Sequence, residues 1–339
     1  MVLQRRHGAI VVGVGLWLII LTGISWANGR PAESKYKGLA HYIMAVVNDL
    51  NGDSQEAISE YEKSAKLDSK QPLPHLRLGA YYSRLGRLDE AVRQLKIAVK
   101  LQPEISQAHY LLALIYSSQK KYDLASVEYE TVLKTASQNS PDNIEIHAYL
   151  AQLYYALHQY PQAAQQLSKI LQLTPQNVSA LYLLGSVDLE LDQHEKAKED
   201  FRKVLALEPD HDGALNSLAY MYAQEGVHLD DALKMVRRAI ELDPSNGAYY
   251  DTLGWVLFKK GMNAESLMAL EKAQDYIQDP VIYEHMGDVY QAVNEPALAR
   301  KFWLKSLALD PKQPKVSEKI EQLNHTSAQI ESVGHNFAK

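Results

Sequence analysis

Leu207-Glu208-Pro209, Leu242-Asp243-Pro244 and Leu309-Asp310-Pro311 end three segments of this chain, and Lys100-Leu101-Gln102-Pro103 and Leu173-Thr174-Pro175 end two more. A proline after an apolar stretch stops a helix, because its ring lacks the backbone N–H and clashes with the preceding turn. Counting back from these endings at a period of 34 gives eight units, which start at Gly38, Pro72, Ser106, Ile144, Val178, Asp212, Gly247 and Pro280. The units are 38–71, 72–105, 106–143, 144–177, 178–211, 212–246, 247–279 and 280–311, with the extra residues at loops. A fixed period of 20 to 50 residues is the mark of stacked supersecondary units rather than of a single globule.

The same positions recur inside each unit. Position 8 is always small: Ala45, Gly79, Ala113, Ala151, Gly185, Ala219, Gly254 and Gly287. Position 20 is small too, with Ala57, Ala91, Ala125, Ala163, Ala197, Ala232, Ser266 and Ala299. Two helices that cross closely need tiny side chains where they touch. Position 7 is Leu or Met throughout, from Met44 to Met286, and is expected to fill the hairpin core.

These residues resemble the tetratricopeptide repeat, whose pattern is met most fully by Tyr283, Met286-Gly287, Tyr290, Ala299, Trp303 and Pro311. The resemblance implies an all-α fold, a right-handed α-solenoid of about eight helical hairpins, closed by a C-terminal capping helix. Residues 312–324 supply that helix, since Val316, Ile320 and Leu323 fall at helical spacing among polar neighbours. Residues 325–339 lack periodicity and read as a disordered tail. Departures are local: Asn48 replaces the usual Tyr, the third unit runs on through Ser137 to Asp142, and the sixth has one extra residue in Gly226-Val227-His228-Leu229.

At the other end, Arg5 and Arg6 precede an apolar run from Ala9 to Ile24 and then Ser25-Trp26-Ala27. Residues 1–27 therefore read as a signal peptide or an N-terminal membrane anchor, and either places the repeats outside the cytoplasm. Residues 28–37, with Gly29 and Pro31, read as a linker.

Composition narrows the function. The chain has 35 Lys and Arg against 41 Asp and Glu, and no basic block, so no nucleic-acid partner is expected. It has no cysteine, which excludes disulfides, thiolate metal sites and a cysteine nucleophile. There is no glycine-rich phosphate loop and no His-Glu-x-x-His, and the expectation is a protein that is not an enzyme and carries no cofactor. His41, His75, His109 and His147 repeat at position 4 and suggest a metal ladder at first sight. Equivalent sites on stacked helices lie about 10 Å apart, too far for ligands that each sit about 2 Å from one zinc ion.

In the family it resembles, positions 2, 5, 9, 12 and 13 of the first helices line a concave groove. Carried across, the partner-binding groove comprises Tyr42, Leu76, Tyr110, Tyr155, Tyr182, Asn216, Tyr220, Asp251, Trp255, Phe258, Glu284 and Asp288. Position 5 never holds Lys, so the family's carboxylate clamp for peptide C-termini is not expected. Aromatic rings give rigid apolar area with a polar edge, which suits a peptide or the face of a sugar ring. Acidic Asp251, Glu284 and Asp288 either select a basic partner or form a solvated acidic face. Plain packing competes at each position, as it does for Tyr82, Tyr116, Tyr154, Tyr222 and Tyr290 at position 11. Trp255 is expected to contact the ligand and to be dispensable for folding.

The stretch Leu215 to Ala232, with Asp251-Thr252-Leu253-Gly254-Trp255, resembles bacterial exported tetratricopeptide proteins. Two functions follow as expectations. One is a scaffold that binds a protein or peptide partner in an envelope or secretion-related assembly. The other is a subunit that handles polysaccharide, with the same aromatics as stacking platforms.

Overall fold

The computed structural model describes residues 29–337, with side chains placed from residue 32 to residue 325. The expected signal or anchor, 1–27, lies outside the described residues. Every element among them is a helix, and none of these helices is long and apolar enough to cross a membrane.

Sixteen helices form eight successive hairpins: α1 (Gly29–Asn51) with α2 (Ser54–Leu67), α3 (Pro72–Arg84) with α4 (Leu88–Leu101), α5 (Ser106–Ser118) with α6 (Tyr122–Asn139), α7 (Ile144–Ala156) with α8 (Tyr160–Leu173), α9 (Val178–Glu190) with α10 (His194–Leu207), α11 (Asp212–Glu225) with α12 (Leu229–Leu242), α13 (Gly247–Lys259) with α14 (Asn263–Tyr276), and α15 (Pro280–Ala292) with α16 (Pro296–Leu309). A last helix, α17, spans Pro314–Phe337. The chain divides into two compact units at Val132 and Leu133, inside α6.

Local chemistry marks several of the boundaries. Asn143, Asn177, Asn246 and Asp279 stand just before α7, α9, α13 and α15, and each side chain accepts from a first-turn N–H. Inside every hairpin the turn passes through the left-handed region at position 15, at Gly52, Gly86, Lys120, His158, Asp192, Gly226, Gly261 and Asn294. In the sixth hairpin the extra residue puts a second left-handed residue, His228, right before α12. In the third unit the insertion is absorbed by α6, which has 18 residues where α4 has 14.

The core is built on the close crossing inside each hairpin. A Cβ on Gly79 would lie 2.5 Å from Leu95 Cγ, and one on Gly185 would lie 2.8 Å from Phe201 Cε1. Gly254 faces Leu270 and Gly287 faces Trp303 in the same way. The large residue at position 24 thus occupies the space that a side chain at position 8 would need. Position 20 is buried from Ala57 to Ala299.

Three expectations fail. The linker 28–37 is helical from Gly29 on. Proline is tolerated in a first helical turn, where its missing N–H has no intrahelical partner to lose. Ser34 Oγ, one turn further on, donates to Leu67 O at 2.7 Å and ties the start of α1 to α2. The disordered tail 325–339 is helical through Phe337, because no proline follows Pro314 and each residue added to a formed helix gains a backbone bond. Met44 does not fill a core. It is 51% exposed while Leu78, Leu112, Leu150, Leu218 and Met286 are buried, because no hairpin precedes α1 among the described residues.

Candidate partner-binding face

In the first unit, Tyr42 is half-buried and its ring lies 5.6 Å from that of Tyr61. It lines an apolar cleft of about 180 Å³ with Tyr36, Leu39, Leu73 and Pro74. Tyr110 is 49% exposed, and its inner edge meets Tyr129 in a T-shaped contact. Leu76 is the exception. At 5% exposure it belongs to the core, since a leucine at this position is short enough to lie down among its neighbours where a tyrosine projects.

In the second unit, Tyr155 packs edge-on against Tyr160, and burial, followed by the Glu190 charge, raises its phenol pKa. Tyr182 lies between Phe201 and His211, with its ring 4.6 Å from the imidazole. Its hydroxyl would sit 2.7 Å from a Cβ on Gly213, so the glycine makes room for the phenol.

Asn216 and Tyr220, one turn apart on α11, border a cavity of about 270 Å³ with Asp251, Thr252, Asp279 and Ile282. Asn216 Oδ1 is buried without a hydrogen-bond partner. Burial raises the Tyr220 pKa most, a hydrogen bond from Gln224 lowers it, and the Asp251, Glu284 and Asp279 charges raise it further. The cavity therefore favours a hydrogen-bond donor, above all a cationic one.

Trp255 is 7% exposed and sits in the core of the second unit. It stacks on His285 at 4.0 Å and 16°, meets Phe258 at 5.2 Å and carries Lys259 Nζ 4.7 Å above its ring. The expectation that it is dispensable for folding is overturned, because the indole is wedged between α13 and α15. Asp251 is likewise only 8% exposed, and its carboxylate accepts from His285 Nδ1 at 2.8 Å. Glu284 and Asp288 are not open to a basic partner either. Lys319 Nζ on α17 donates to both at 2.7 Å, and Asp288 also accepts from Trp303 Nε1. A wider cavity of about 510 Å³ remains beside them, bounded by Trp255, Phe258, Trp303, Lys319 and Leu323.

The histidine ladder has its own explanation. Nδ1 of His41, His75, His109 and His147 meets Glu60, Gln94, Glu128 and Gln166 respectively, each 19 residues on, at 2.5 to 2.8 Å. Each imidazole bonds the second helix of its own hairpin. His109 and His147 also donate Nε2–H to the carbonyls of Pro103 and Pro141.

Reading unit by unit missed His285, Lys319 and Asp279. A signal existed: Asp251 and His285 are 34 residues apart, one full period, and Lys319 follows Glu284 by 35. Polar partners one period apart face each other across neighbouring hairpins.

Hairpins that each bury one face against the next, locked at small residues, define an α-solenoid repeat protein. Over residues 76–211 the repeat is the tetratricopeptide repeat: family descriptions of it match residues 76–144, 116–187 and 178–211. The chain is 23% identical over 303 residues to tetratricopeptide repeat protein 37 of Xenopus laevis, covering 86% of itself and 19% of that protein. It is 28% identical over 113 residues to an uncharacterized protein of Haemophilus influenzae, covering 32% of itself and 62% of the other. The chain thus spans about a fifth of the first relative's length and less than two thirds of the second's. Among solved structures, a tetratricopeptide repeat protein from Parabacteroides merdae superposes with a TM-score of 0.55 at 21% identity, covering 74% of this chain and 98% of that one.

Proposed function

We propose that this protein is a non-catalytic scaffold that binds an extended segment of a partner protein along its first helices, within an envelope or secretion-related assembly outside the cytoplasm. The observation that carries the binding role is the cavity at Asn216 and Tyr220, where a buried acceptor oxygen has no partner and the surrounding charges are carboxylates. A peptide N–H, or a Lys or Arg side chain, satisfies such an acceptor. Tyr182, on the preceding hairpin, adds a half-buried ring with a polar tip, the kind of surface that anchors a chain at low entropic cost. The export reading rests on sequence alone, on Arg5, Arg6 and the run Ala9–Ile24.

Photo-crosslinking from a probe installed at Tyr182 or Asn216 tests the binding role. A captured protein segment rich in Lys or Arg is the expected result, with Tyr220→Ala lowering its yield at least tenfold. Saturable quenching of tryptophan fluorescence by polysaccharide fragments, with no protein captured, assigns the face to glycan instead. Fractionation of cells that express the full chain tests the location.

A further inference from the structure

In this chain, positions 3, 6 and 10 of a first helix are the positions that meet the hairpin before it. Tyr249, at position 3 of α13, donates to Asp212 of α11, and His285, at position 6 of α15, donates to Asp251 of α13, both at 2.8 Å. Tyr81, at position 10 of α3, donates to Asp49 of α1 and lies 6.2 Å from the Tyr61 ring of α2. Position 10 is accordingly buried at Tyr81, Ile115, Val187, Met221, Val256 and Val289. The same register is kept at the C-terminal end by α17, where Val316 is buried at position 3 and Lys319 reaches α15 from position 6. The other side of α17 exposes Lys315, Glu318 and Glu321, so that end is closed by a polar surface.

On α1 these positions keep their apolar character, and no described residue covers them. Ile43 is 55% exposed and Val47 49%, continued by Tyr36, Leu39 and Leu50 along one stripe. Fifteen residues of helix make a strip about 21 Å long. No described hairpin precedes α1, and the outer face, which keeps a terminal repeat soluble when it is polar, is here apolar.

We propose that a second copy of this chain covers the strip, through an antiparallel contact of α1 with α1 that closes a two-fold dimer. Two features select this occupant. The far end of the array is already sealed by α17, so copies cannot add head to tail. An open end can meet only another open end, and an isologous contact of that kind stops at two. Charge agrees with the antiparallel sense. Exposed Lys35 flanks the first half of the strip, with Lys37 beside it paired to Glu33, and exposed Asp53 and Glu56 follow its second half, so each copy sets a net positive end beside the other's carboxylates.

The chain has no cysteine, so a single engineered thiol reports the contact directly. The full-length protein in mild detergent is expected to scatter light as two chains at micromolar concentration. Under mild oxidation Ile43→Cys, near the middle of the strip, should form a disulfide-linked pair at least ten times faster than Met268→Cys, which is 69% exposed in the second unit. Adding Val47→Glu should abolish that linkage and halve the scattered mass with the helical spectrum unchanged, since Val47 makes up no core. A single-chain mass, equal linkage rates at the two cysteines, or a dimer that survives Val47→Glu overturns the proposal. So does a ladder of products beyond two chains, or binding of the strip to lipid vesicles in place of the linkage.

Discussion

The imidazole of His285 donates to the carboxylate of Asp251 at 2.8 Å, and both side chains are buried, although a whole repeat of 34 residues separates them. The bond fixes the ring on which Trp255 stacks, so three side chains from two hairpins are held as one unit. Asp251→Ala leaves a buried N–H without an acceptor and should cost about 1–3 kcal/mol, whereas Asp251→Asn keeps an acceptor and should cost less. Adding His285→Leu to Asp251→Ala should recover part of the loss, because both polar groups are then gone. Urea unfolding followed by tryptophan fluorescence checks the order, and equal losses in all three variants would remove the bond from the account. Trp255→Ala should lower stability by about 3–5 kcal/mol as well as any affinity, as expected for an aromatic ring lost from a core.

The hairpin crossings predict a compensated pair. Gly185→Ala places a Cβ 2.8 Å from Phe201, and overpacking of this kind costs about 1–3 kcal/mol. The fourth hairpin already accommodates Ala151 at position 8 with Leu167 at position 24, both buried. Gly185→Ala combined with Phe201→Leu should therefore be more stable than the sum of the two single losses. A strictly additive thermal-melt series would show that the two residues do not contend for the same space.

Alkaline pH should weaken the first unit. Burial pushes the phenols of Tyr61 and Tyr82 up to about 12, and a hydrogen bond to Glu62 adds to the shift at Tyr82. Between pH 10 and 12 the unfolded chain loses these protons while the folded one keeps them, so stability is full below pH 10 and falls as pH rises through that window. Tyr61 Oη is buried without a partner, and Tyr61→Phe should be neutral or stabilising at pH 7 and should flatten the alkaline loss. Denaturant midpoints measured from pH 8 to 12 decide it; a steeper decline in the variant would contradict the assignment.

Much of this fold was legible because the hairpin crossing is local: positions 8 and 20 lie within one period, and a chain scan finds them. The inner face was less legible for a physical reason. Whether a residue there is exposed depends on its length and on the neighbouring hairpin. Leu76 and Tyr110 share position 5 and end at 5% and 49% exposure. Glu284 and Asp288 are expected from their positions to face a basic partner, yet both pair with Lys319, which lies in a helix whose register the repeat pattern does not reach. The ends were misread for a related reason. Breaker residues such as Gly29 and Pro31 mark a loop only when they do not fall in a first helical turn.

The turn inside each hairpin gives a last, independent prediction. Position 15 is left-handed in all eight, with φ of 72° at Gly86 and 58° at Lys120. A residue with a Cβ is strained there by about 1–2 kcal/mol, and glycine, which escapes that strain, gives back part of the gain through its greater freedom when unfolded. Lys120→Gly should thus stabilise the protein by about 0.5–1 kcal/mol, and Gly86→Ala should destabilise it by a similar amount. Nothing lies within 4 Å of a Cβ on Gly86, so its loss comes from backbone conformation and not from packing. Since Gly86 and Lys120 occupy equivalent turns, the two variants should move the denaturant midpoint in opposite directions, and a shift of the same sign in both would mean that the turn is held by contacts rather than by its dihedral preference.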